Sequence, residues 1–90
     1  MTVKVTQDWV NRIEALQYEV SARQNILAFM IENGHNMDAD NYKRYNGEYL
    51  DFFKQLEEAK EEFATEYVYP QTNGKRVAWN LDFKELEVTF

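Results

Sequence analysis

Five carboxylates crowd one stretch of the chain, Glu57, Glu58, Glu61, Glu62 and Glu66, and a spacing of four sets Glu58, Glu62 and Glu66 on a single helical face. Such a ladder could receive an arginine-rich partner or a hard cation. The cation is the poorer fit, because monodentate carboxylates along an open helix do not surround an ion as a folded loop does. Salt pairing is the plainer account. Lys54 lies four residues before Glu58 and Lys60 three after Glu57, a spacing worth ~0.3–0.5 kcal/mol per pair on a wet helix.

The other chemistry-bearing types are thin. His35 is the one histidine, set in a polar connection with no serine-nucleophile pattern near it. Gly34, Gly47 and Gly74 are too scattered to cradle a phosphate, and neither a two-histidine metal motif nor a calcium loop occurs. With no cysteine there is no disulfide framework, thiolate zinc site, iron–sulfur cluster or cysteine nucleophile. An enzyme needs converging groups of tuned acidity or a cofactor cradle. The expectation is therefore a non-enzyme without cofactor or metal.

Six tyrosines are many for this length, and tyrosine is favoured where a surface is half dry. Tyr42 and Tyr45 are candidate partner-facing residues, and the bland alternative makes them the seam of a helix with their hydroxyls in water. Arg23 interrupts the apolar row of the first helical tract. It reads either as a snorkelling side chain paired with an acid of the next helix or as a contact residue.

Composition bounds the rest. Ninety residues make one small domain, and 44% hydrophobic with 16% aromatic is too apolar for a disordered chain. The amino terminus lacks the layout of a secretory signal and no apolar run approaches a membrane span, so a soluble cytoplasmic protein is expected. A net charge of -6 disfavours direct nucleic-acid binding, which relies on Lys and Arg displacing counterions.

These residues need elements to carry them. Thr6 is a plausible N-cap with Asp8 in the first turn, and Trp9, Ile13, Leu16, Val20, Leu27 and Met30 recur in steps of three and four up to Gly34. Ala15, Tyr18, Ala22, Ile26 and Phe29 widen that row, as if the helix packed on two sides. The short connection Gly34-His35-Asn36-Met37 reverses direction. Asp38 or Asp40 can cap a second, antiparallel helix with the seam Tyr42, Tyr45, Tyr49, Phe52, Leu56, Ala59, Phe63, which Pro70 ends by about Tyr67. Gly47 inside it costs ~1 kcal/mol against alanine, and marks either a close backbone approach or a bend. After the turn Gln71-Thr72-Asn73-Gly74, Val77, Trp79, Leu81 and Phe83 alternate with polar partners, as do Leu86, Val88 and Phe90 after a turn around Phe83-Lys84-Glu85. Val3 and Val5 can add a third strand. The expected fold is α+β, an antiparallel two-helix hairpin with a small antiparallel sheet in the order β-α-α-β-β. It forms a single domain over 1–90, with the helical hairpin about 7–67 and the β-hairpin about 76–90. The apolar strand face is expected to cover the second side of the first helix.

The pattern Tyr42-x-x-Tyr45-x-x-Glu48-Tyr49-x-x-Phe52-Phe53-Lys54-Gln55, with Tyr67-Val68-Tyr69-Pro70 and Trp79-Asn80-Leu81-Asp82-Phe83, resembles the small accessory proteins encoded beside maturases of cysteine-repeat (CXXX-repeat) peptides in anaerobic bacteria. The resemblance implies a non-catalytic helper in a ribosomal peptide-modification system, acting on a maturase or its precursor. It transfers no active-site motif. Two functions are thus in view. One is a protein- or peptide-binding adaptor, whose final strand, with Glu87 and Thr89, accepts an extended peptide by edge pairing. The other is an acidic phage or mobile-element inhibitor that blocks a nucleic-acid-binding or defence protein with Glu58, Glu62 and Glu66. A homodimer is also in view, since a second copy can complete the aromatic seam.

Overall fold

The computed structural model describes residues 1–32 and 39–90. The elements run β1 (Thr2–Lys4), α1 (Gln7–Glu32), α2 (Ala39–Tyr67), a single 3-10 turn (Tyr69–Gln71), β2 (Asn80–Asp82) and β3 (Glu87–Thr89). This is the α+β fold expected, two helices in a hairpin beside a small antiparallel sheet. The readings placed on Gly34, His35 and Asp38 lie outside the described residues.

Local chemistry sets the helix ends. The Thr6 hydroxyl accepts from the Trp9 amide at 3.4 Å, which meets one of the orphan first-turn donors, while its carbonyl takes the first helical bond, from Val10 at 3.3 Å. Proline at position 70 turns the chain out of α2 into the 3-10 turn, whose carbonyl at Tyr69 receives the amides of Thr72 and Gly74. The helices run antiparallel, for Trp9 meets Phe63 and Glu66, Arg12 meets Glu62, and Arg23 meets Glu48.

The core sits at the open end of the hairpin. Val10, Ile13 and Val20 of α1 pack with Leu56, Ala59, Phe63 and Ala64 of α2, and Val5, Val68 and Val88 close over them. Phe63 is the hub, fully buried, with the rings of Trp9, Tyr67 and Trp79 at 5.7, 5.1 and 5.0 Å. Towards the other end Leu27 is buried outside this cluster, and the molecule measures 50 × 25 × 19 Å. The sheet therefore lids one end and does not extend along the far half of the helix pair.

Three expectations change here. The ladder is shorter than the alternating pattern, since β2 covers only Asn80–Asp82 while Val77, Ala78 and Trp79 run up to it outside any strand. The strand order is β1-β3-β2, so the last strand is the centre of the sheet, with Val88 opposite both Val3 and Leu81. Finally, the sheet does not cover the second apolar row of α1, where Tyr18 stays 70%, Phe29 65% and Ile26 40% exposed. Three-residue strands are too short to reach along a 26-residue helix of ~39 Å.

The β2–β3 turn is tight and fixed. Asp82 Oδ1 accepts from the amides of both Lys84 and Glu85 at 2.9 Å, and Leu86 takes φ 55°, the left-handed region that favours glycine. Leucine is held there from both sides. Its carbonyl accepts from the Val5 amide at 2.9 Å and its side chain packs against the core.

Candidate binding surfaces

Three of the clustered carboxylates of α2, Glu61, Glu62 and Glu66, are exposed yet bond to groups outside their own helix. Glu66 Oε2 accepts from the Trp9 indole at 2.7 Å. Glu62 Oε2 accepts from Arg12 at 2.9 Å, and that guanidinium lies 5.0 Å over the Trp9 ring. Glu61 takes both Nη atoms of Arg76, at 2.6 and 3.0 Å, and the Tyr69 hydroxyl donates to it at 3.3 Å. The same fork holds the Arg76 guanidinium above its ordinary pKa. Of the intrahelical pairs expected, Glu57 meets Lys60 at 3.7 Å, whereas Glu58 forms no ion pair among the described residues. The ladder is thus partly a set of ties from α2 to α1 and to the tail. Sequence spacing missed these ties because the partners lie 57, 50 and 15 residues away.

Of the two readings of Arg23 the geometry fits the structural one in part, with its hydrogen bonds on its own helix and only a longer approach to an acid of α2. Its guanidinium donates to the Glu19 carboxylate and carbonyl on its own helix, lies 4.2 Å over the Phe52 ring, and brings Nε within 3.7 Å of Glu48 of α2. Tyr42 and Tyr45 are half-buried near the start of α2, with Arg44 4.9 Å over the Tyr45 ring. They sit about 32–36 Å along the helix from Glu66.

Glu87 and Thr89 lie on the sheet face away from the core, since Val88 between them is fully buried. Lys4 pairs with Glu87 at 2.7 Å, and its ammonium pKa is raised by that bond. The turn amides of Glu85 and Lys84 hold the Asp82 carboxyl below its usual range. The candidates therefore scatter over three places, the start of α2, its acidic face and the outer face of β3, and form no single site.

Because β3 is paired on both sides, it cannot accept a further strand. The open edges belong to β1 and β2. Met1 and Phe90 exchange both backbone bonds, so by ladder alternation Val88 bonds towards β1 while Glu87 and Thr89 bond towards β2. On β2 that leaves the N–H and C=O of Leu81 pointing off the sheet. Beside this edge a groove of about 540 Å³ runs between sheet and helices, floored by Ile13, Trp79, Leu81 and Phe83 and rimmed by Glu57 and Lys60. The free edge of β2 and its groove are what sequence reading overlooked; the alternation of Trp79, Leu81 and Phe83 was the available signal.

Among the described residues no group of three or more His, Asp or Glu side chains could hold a metal ion, and no helix is long and apolar enough to cross a membrane. The chain matches no family model, no curated protein and no solved structure.

Proposed function

We propose that the chain is a non-catalytic peptide-binding module that receives an extended segment along the open edge of β2. The observation that carries this reading is the outward-facing backbone of Leu81 beside the groove of Ile13, Trp79 and Phe83. An added strand would bond to that backbone, and alternate side chains would drop into the groove, so main-chain bonds supply affinity and the groove supplies choice. Glu57 and Lys60 at the rim would read a charged neighbour. This suits a cytoplasmic helper of ribosomal peptide modification, which must hold a precursor without reacting with it.

The acidic-inhibitor reading draws on Glu58, Glu62 and Glu66, two of which already accept from Arg12 and Trp9. One experiment separates the two. A random-peptide display library is panned on the immobilised chain and the best binder is titrated into labelled protein. Strand addition at β2 slows solvent exchange of the Leu81 amide on binding, and Ala78→Lys at the approach to that edge weakens binding about tenfold. Binding that instead tracks Glu58→Gln and vanishes in high salt belongs to the acidic face and sinks the edge-strand reading.

A further inference from the structure

The two halves of α2 are made of different residues. Over residues 39–47, Asp40, Asn41, Tyr42, Tyr45, Asn46 and Gly47 all hold a helix poorly, whereas residues 54–62 are strong helix formers throughout. Burial divides the helix in the same way. Its buried residues are Leu56, Ala59, Phe63 and Ala64, and none precedes Leu56. Gly47 serves no packing, since a methyl group there meets nothing within 4 Å, and it only loosens the helix. Asp40 in the first turn works the other way, but a charge at a helix end reaches little past its own turn.

α1 gives this end little to hold. The antiparallel register that sets Arg23 against Glu48 brings Leu27 about level with Tyr45, and Met30 with Tyr42. Of these four only Leu27 is buried, and it lies outside the core cluster. Packing tightens just beyond Gly47. Arg23 lies 4.2 Å over the Phe52 ring and 3.7 Å from Glu48, and Tyr49 and Phe52 pack against the core.

A helical stretch poor in both propensity and buried contact opens at lower cost than the core it extends from. We propose that residues 39–47 form a separate opening unit, which leaves α1 and unwinds as one piece up to the layer of Arg23, Glu48 and Phe52 while the rest of the chain stays folded. Opening bares Leu27 and the covered parts of Tyr42 and Tyr45, so the fold contains a switch between a long hairpin and a short one. The unit touches neither the β2 edge nor its groove, and the proposal does not depend on the peptide-binding reading.

Amide exchange of the full chain, followed residue by residue in rising denaturant, is the test. Helical amides bond four residues back, so those of residues 43–51 depend on the carbonyls of residues 39–47. They should share one level of protection, about a hundredfold below that of residues 56–63, with the step after Asp51. Phe63→Leu, in the centre of the core, should lower protection at residues 56–63 and leave residues 43–51 unchanged. Gly47→Ala should raise protection at residues 43–51 about two- to fivefold. One common level from Lys43 to Phe63 would overturn the proposal. So would a steady climb from Lys43 to Phe63 without a step, which is fraying from the helix end, or a Phe63→Leu variant in which both groups of amides fall together.

Discussion

The Trp9 indole donates to Glu66 at 2.7 Å, joining the first turn of α1 to the last turn of α2. The same indole meets the edge of the Phe63 ring and carries the Arg12 guanidinium on its face. One side chain thus links the core, the acidic row and the open end of the hairpin. Trp9→Phe keeps an aromatic ring beside Phe63 but loses the donor together with part of the indole that packs there and carries Arg12. It should cost about 1–3 kcal/mol, and Glu66→Ala, which removes the acceptor, about 0.5–1.5 kcal/mol. Urea unfolding followed by circular dichroism measures both, and a double-mutant cycle should return a coupling of ~0.5–1 kcal/mol. A coupling near zero would show that the bond adds nothing in water.

Phe63 is the second test, because the fold has little else to spare. Three aromatic rings stand within 5.0 to 5.7 Å of it and none of it is exposed. Phe63→Ala leaves a cavity among side chains from both helices and the tail, for a loss of ~3–5 kcal/mol. In a chain this small that is most of the stability available. The variant should be largely unfolded at 37 °C, while Phe63→Leu should fold with a lower melting temperature. A melting curve of Phe63→Ala that overlays the wild type would remove Phe63 from the centre of the core.

How far the sequence reveals this architecture depends on the range of each interaction. Thr6 and Pro70 act on their neighbours, and the three-and-four spacing of Ile13, Val20, Leu56 and Phe63 states its own face, so both helices and the end at Tyr67 were legible. Strand order was not. Val3, Leu81 and Val88 carry similar apolar residues in similar alternation, and nothing local says that Val88 lies between the other two. The acid ties were hidden for the same reason, because Trp9, Arg12 and Arg76 find Glu66, Glu62 and Glu61 only once the hairpin closes. The row at Tyr18 and Ile26 was visible as apolar, but the shortness of the strands that leaves it open was not.

Acid should loosen the β2–β3 turn through Asp82. Its carboxylate accepts from the Glu85 and Lys84 amides, and these bonds lower its pKa from 3.8. A group depressed in the folded state gives stability that is complete above its unfolded value and is lost as pH falls through the folded one. The Lys84 and Glu85 amide resonances should therefore hold steady down to about pH 4 and move together below it. In Asp82→Ala the shift below pH 4 should disappear and the turn should be weaker at every pH. Lys4 carries the opposite sign. Its pKa is raised above 10.5, chiefly by the Glu87 bond, so the contribution of that pair is complete below 10.5 and fades as pH climbs past the raised value. Amide shifts that move together in the wild type and Asp82→Ala would assign the acid transition to another carboxylate.

The two described glycines should respond to alanine with opposite signs. Gly47 lies within α2, and a methyl group added there meets nothing within 4 Å. No close backbone approach requires it, so only the entropic cost of glycine remains, and Gly47→Ala should stabilise by ~0.5–1 kcal/mol. Gly74 also has room, but its φ is 81° and its amide donates to the Tyr69 carbonyl at 2.9 Å. An L side chain resists that conformation, so Gly74→Ala should destabilise by ~1–2 kcal/mol. The strain would fall on the turn that leads into Arg76 and its fork on Glu61. Chemical unfolding of the two variants under one set of conditions is the check. A stabilising Gly74→Ala would mean that the turn takes another path, whereas a destabilising Gly47→Ala would restore a role for the bare position in α2.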